Sequence, residues 1–119
     1  MRRIGTIIAT LIVLALGAGA QTFQCSAGVT HCVQVTCSDA DTSVMFNIYR
    51  SSSASGPWTL LTATPISSCT YVDNSVVTVG TTYYYTATAV ASGVESGKAQ
   101  PASAVIPPSI PTGVGIVAR

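Results

Sequence analysis

Apolar and polar positions alternate along most of this chain. Val33, Val35 and Cys37 alternate with Gln34 and Thr36, and Val44, Phe46 and Ile48 alternate with Met45, Asn47 and Tyr49. A period of two marks a strand with one buried face. The intervening residues 37–43 (CSDADTS) read as a loop, and residues 51–57 (SSSASGP) as a turn-rich stretch. Residues 58–62 (WTLLT) predict a short strand, which Pro65 ends. Residues 69–72 predict another, followed by a turn at Asp73-Asn74. The strongest strand is residues 81–90 (TTYYYTATAV), with Tyr83, Tyr85, Ala87 and Ala89 on one face. Ser92-Gly93 reads as a turn and residues 102–106 as a last strand, before Pro107, Pro108 and Pro111 end regular structure. Six or seven short strands with turns every eight to twelve residues predict an all-β, antiparallel sandwich.

The first twenty residues follow a different pattern. Arg2 and Arg3 precede an apolar run, residues 4–16, and small residues fill 17–20, with Ala18 and Ala20 at the A-x-A spacing. A basic start, an apolar middle and a small-residue end predict a signal peptide cleaved after Ala20. The competing reading is a retained anchor, since residues 4–20 approach the shortest apolar span that crosses a bilayer. No lipobox precedes the first cysteine, Cys25, which follows Gln24. Cleavage leaves 99 of the 119 residues, with three basic and four acidic side chains. A domain of that size buries a modest core and is marginal without help. Export, to the periplasm or to the medium, makes disulfides available as that help. After cleavage no membrane association is expected.

Charge narrows the function classes. Five Lys and Arg stand against four Asp and Glu, and 8% of residues are charged, where about 25% is usual for a soluble protein. That excludes a basic nucleic-acid footprint and an acidic tail. Abundant Ser, Thr, Val and Tyr suit a solvated sheet.

The order of these features resembles a fibronectin type III domain, in the form found in bacterial exported proteins. The residues that carry the resemblance are NIYRS (47–51), GPWTLL (56–61), CTYVDNSVV (69–77), GTTYYYTATAV (80–90) and GVES (93–96), within residues 32–107. The resemblance implies an immunoglobulin-like sandwich of about seven strands over residues 21–107. It also implies a tyrosine corner, with Tyr83 as the corner residue and Val77 as its apolar partner. Three features depart from the family. Cys37 stands where a Trp is usual, the segment between Asp73 and Gly80 is one residue longer than usual, and the first strand is short and lacks its opening prolines. That opening pattern occurs instead in residues 108–114, so that the Pro-rich tail 108–119 looks like the start of a further module.

Four cysteines allow three full pairings. Alternation turns Cys37 inward, and Cys69 shares the face of Tyr71, which the family buries. The two strands are neighbours in the resembled sandwich. A Cys37–Cys69 bridge would fill part of the missing Trp volume, leaving Cys25 with Cys32. The alternative is buried free thiols, which pack as small apolar groups.

Reactive chemistry is thin. His31 adjoins Cys32, yet alternation puts them on opposite faces, and an exposed turn histidine is the plainer expectation. Cys25, His31, Cys32 and Cys37 lack the close C-x-x-C spacing of strong zinc sites. Asp39, Asp41 and Asp73 are calcium candidates, against the reading of a solvated loop and a turn aspartate. Neither a phosphate-cradling glycine loop nor G-x-S-x-G is present. No catalytic residue, metal or cofactor is therefore expected. Trp58 offers a sugar-stacking platform but matches a position that packs at the sheet edge. Tyr49 and Tyr84 point outward and can form a contact patch, although tyrosines are also ordinary strand formers.

The sequence thus predicts a non-enzymatic exported module for binding, adhesion or spacing, with a protein or carbohydrate surface as partner. The alternatives are a structural subunit that assembles by strand donation through the C-terminal tail, and an accessory module of a larger enzyme or adhesin. The fold alone does not choose among them.

Overall fold

The computed structural model describes residues 7–15, 25–76, 78–109, 111 and 113–119. The described strands are β1 (Ile7–Ala15), β2 (Val33–Asp39), β3 (Met45–Ser51), β4 (Thr59–Leu60), β5 (Thr70–Asp73), β6 (Thr82–Ala91), β7 (Val94–Glu95) and β8 (Ala102–Val105). Each alternating run of the sequence becomes a strand whose apolar set faces inward. Val33 and Val35 of β2, Phe46 and Ile48 of β3, and Tyr85, Ala87 and Ala89 of β6 are all buried.

Two sheets enclose these residues. One has the order β1-β2-β5; the other runs β4-β3-β6-β7, with β8 also on β6. Every described strand pair is antiparallel. The register of β3 on β6 sets Phe46 beside Ala89 and Ile48 beside Ala87. A large side chain beside a small one leaves room for the facing sheet's Val33 and Val35, which complete the core.

The ends of the elements show where local chemistry wins. The expected strand over residues 58–62 shortens to β4 because Thr62 intervenes. Its hydroxyl accepts the Ile48 N–H at 3.3 Å, taking the place of a backbone carbonyl in the ladder. Ser92 and Gly93 both have positive φ, 50° and 76°. That is the twist a two-residue hairpin needs to join β6 to β7. The final strand is split: β7 pairs near one end of β6 and β8 near the other. Bonds from Ser96 N–H to the Ala89 carbonyl and from Ala99 N–H to the Ala87 carbonyl hold the chain alongside β6 between them. A two-residue strand such as β7 has no alternation to reveal it.

β1 lies inside the expected leader. Its backbone runs antiparallel to β2, with Ala15 opposite Val33 and Ile7 opposite Asp39. A run rich in Ile, Leu and Val is as good a strand as a leader, because both need uninterrupted apolar side chains. The rest of residues 1–20 lies outside the described residues.

Candidate functional site

The cysteines are joined as Cys25–Cys32 and Cys37–Cys69. The second bridge follows from register. β2 on β5 places Val35 opposite Tyr71, so Cys37 stands opposite Cys69, and the Cys37 N–H donates to the Cys69 carbonyl at 3.0 Å. Cys69 is buried in the core and Cys37 packs against it.

A polar network ties the two sheets at the Val33 end of β2. Asp73 ends β5 and is buried. Its Oδ2 accepts from Arg50 Nη1 at 2.7 Å and from the Tyr85 hydroxyl at 2.8 Å; its Oδ1 accepts from the Ser75 hydroxyl at 2.6 Å and the Ser75 N–H at 3.1 Å. Burial alone would raise the Asp73 carboxyl, but bonds from Ser75, Arg50 and Tyr85 outweigh it and hold it below the ordinary value. The Tyr85 hydroxyl is pushed well above the ordinary phenol value, first by burial and then by the Asp73 charge. Asp73 is thus neither a solvated turn residue nor a free ligand. Arg50 also lies over the Tyr83 ring, 5.8 Å from its centroid. Tyr83, expected at the tyrosine corner, is half-buried, and its expected partner Val77 lies outside the described residues. The fully buried tyrosine is Tyr85.

The most chemically varied surface is the outer face of the β3–β6 sheet. Asn47 and Tyr49 of β3 pair with Thr88 and Thr86 of β6, and Glu95 of β7 pairs with Val90 on the same face. Glu95 accepts from the Tyr49 hydroxyl, from the Thr88 hydroxyl, and from Asn47 Nδ2 at 3.4 Å. Thr88 and then Tyr49 lower the Glu95 carboxyl, while burial followed by the Glu95 bond raises the Tyr49 hydroxyl. Lys98 Nζ sits over the Tyr49 ring, 4.7 Å from its centroid, a cation–π contact. Tyr84 stands opposite Ser51, so Tyr49 and Tyr84 are diagonal neighbours on this face. Leu60, opposite Tyr49, is exposed. Trp58 precedes β4 and is half-buried. An added Cβ on Gly56, whose φ is +91°, would lie 2.9 Å from the Trp58 ring, so the ring needs a glycine there.

The outward tyrosines were legible from alternation. Their partners were less so: Glu95 shares the face only because the Ser92-Gly93 turn brings β7 back beside β6. Lys98 reaches Tyr49 only because the chain after β7 stays against β6.

The expected exposed histidine is instead buried: His31 is 6% exposed. Its Nδ1 and Asp39 Oδ2 are buried atoms with no hydrogen-bond partner among the described residues. The Cys25–Cys32 bridge holds the adjoining sulfurs oxidised, which removes the thiol a Cys–His nucleophile requires. The two bridges likewise remove the thiolates of the zinc candidate. Register places Asp73 beside Val33, at the opposite end of β2 from Asp39, so the three calcium candidates do not converge. Among the described residues no group of three or more His, Cys, Asp or Glu has metal-site geometry, and no helix is long and apolar enough to cross a membrane. In the tail, residues 113–119 are exposed throughout.

Two facing antiparallel sheets in this strand order define an immunoglobulin-like β-sandwich. A solved structure described as a Fn3-like protein from Clostridium thermocellum superposes on it with a TM-score of 0.58 and 33% sequence identity, covering 80% of this chain and 88% of that one. The chain belongs to the fibronectin type III-like family. It matches no protein-family model and no curated protein.

Proposed function

We propose that this protein is an exported, non-enzymatic fibronectin type III-like module that binds, adheres or spaces at the cell surface or in the extracellular space, with a protein or carbohydrate surface as its partner. The observation that carries the proposal is the oxidised state of all four cysteines. Such bridges persist in exported proteins and are rare in a reducing cytoplasm. The basic, apolar and small-residue order of residues 1–20 supplies the route, by a leader cleaved after Ala20. A non-catalytic role is supported by a histidine that is buried and by cysteines that are bridged, which leaves neither the usual proton shuttle nor a thiol nucleophile at the surface.

The contact face is the outer side of the β3–β6 sheet, where Tyr49, Tyr84 and Leu60 supply area and Glu95 and Lys98 supply direction. Tyr49, held between the Glu95 carboxylate and the Lys98 ammonium, loses little side-chain freedom on binding, which favours affinity. Fractionation followed by intact-mass analysis tests the export half: the exported protein should begin at Gln21, and full-length chain in the membrane fraction would refute it. Retention on purified cell-surface polysaccharide and protein, compared between the native chain and Tyr49→Ala, tests the contact face. Equal retention of the two removes Tyr49 from the proposal.

A further inference from the structure

We infer that removal of the leader opens the outer edge of β2, and that residues 113–119 of a second copy of this chain fill it as an added antiparallel strand. The inference rests on the proposed cleavage after Ala20.

β2 has two neighbours, β5 on one side and β1 on the other. β1 (Ile7–Ala15) lies wholly within the segment that cleavage removes. Without it, the seven residues of β2 keep their inward side chains in the core but lose their partner along one edge. An unpaired edge of backbone N–H and C=O groups is a template for another strand. Only residues 21–24 then precede Cys25, and Cys25 is tied to Cys32 beside the start of β2. Four residues are too few to cover a seven-residue edge.

The tail supplies a strand of matching length and pattern. Val114, Ile116 and Ala118 alternate, and Val114 and Ile116 are 81% and 94% exposed. Exposed β-branched side chains at alternate positions have the form of a strand that lacks a sheet.

Direction decides whose tail enters. The end of β1, the start of β2 and the end of β5 lie together, with Ala15 opposite Val33 and Val33 opposite Asp73. Asp73 bonds Tyr85 and Arg50 across the sandwich, so the start of β6 lies at the same pole. Val105, at the end of β8, pairs with Thr82 there. The tail therefore leaves the domain at the pole where β2 begins. A strand antiparallel to β2, as every other described pair is, must enter at the opposite pole, beside Asp39. The tail's own connector, residues 107–112, spans at most about 20 Å. That is roughly the length of β2, so no chain remains to reverse direction. A neighbour placed head to tail meets the requirement directly. Its prolines at 107, 108 and 111 hold the connector extended. The contact is heterologous, so it repeats into open linear arrays.

Size measurement by light scattering tests this on the exported protein, over roughly a hundredfold range of concentration. The expected result is a ladder of multimers that grows with concentration. Deletion of residues 108–119, or Ile116→Asp within the intact tail, should give a monomer of lower melting temperature. The free peptide PTGVGIVAR should raise the melting temperature of the deletion variant again, without multimers. Unprocessed chain, whose own β1 holds the edge, should stay monomeric. A monomer at every concentration overturns the inference, including a monomer whose tail deletion lowers the melting temperature, which would mean parallel insertion of its own tail. Multimers that survive both variants overturn it too. An intact mass beginning at Met1 refutes the export reading, whereas a mass beginning at Gln21 with a monomer refutes strand donation alone.

Discussion

Asp73 is the residue on which this sandwich concentrates its polar interactions. A buried carboxylate is tolerable only when its lone pairs are occupied, and here Arg50, Tyr85 and Ser75 occupy them. Tyr85→Phe removes one donor and keeps the ring in the core. The cost should be about 1–3 kcal/mol in urea denaturation. Tyr83→Phe should cost less, because Tyr83 is half-buried and its ring still faces Arg50. Equal losses would contradict the assignment of the buried hydroxyl to Tyr85. The same carboxylate makes stability depend on pH. Its folded pKa is depressed, so the unfolded chain binds the proton more readily. The stabilisation is full above the unfolded value of about 4 and is lost as pH falls through the lower folded value. Asp73→Asn should remove that part of the acid-side loss in a series of denaturation curves.

At the scale of the elements, the two bridges do different work. Cys37–Cys69 spans 32 residues of sequence, joins two neighbouring strands and lies in the core; Cys25–Cys32 spans seven. Chain entropy assigns about 4 kcal/mol to the longer loop and about 2.5 kcal/mol to the shorter. Replacing Cys37 and Cys69 together with Ala also leaves a void between the sheets. That double variant should therefore lose clearly more stability than Cys25→Ala with Cys32→Ala, measured by thermal unfolding. Strand existence was legible at this scale wherever alternation ran for four residues or more, as in β2, β3 and β6. β4 was expected, but not its two-residue extent, which the Thr62 hydroxyl sets, and β7 was not expected at all, since it exists only through the Ser92-Gly93 turn. The pairing of Cys37 with Cys69 was readable because both the inward faces and the strand neighbours were expected from the resemblance.

Across the whole molecule the core is small. Ile48 is fully buried between the sheets, and Ile48→Ala should cost about 2–5 kcal/mol. A domain of this size has only about 5–15 kcal/mol in total. The variant should melt well below the native chain and lose secretion yield, and an unchanged melting temperature would mean that the sheets close over the gap. The outer face of the β3–β6 sheet was only half legible at this scale. Tyr49 and Tyr84 follow from alternation, but the carboxylate and ammonium beside them come from a hairpin return and a following segment whose path no local pattern dictates. The sequence by itself determined the sandwich class, the inward residues and the cysteine faces, because alternation and side-chain chemistry are properties of each strand alone. Tertiary structure decided which tyrosine is buried, that His31 lies inside, that Asp73 joins the two sheets, and which strand borders β2. Those depend on how one strand is set against another, and register is fixed only when the two sheets close on a common core.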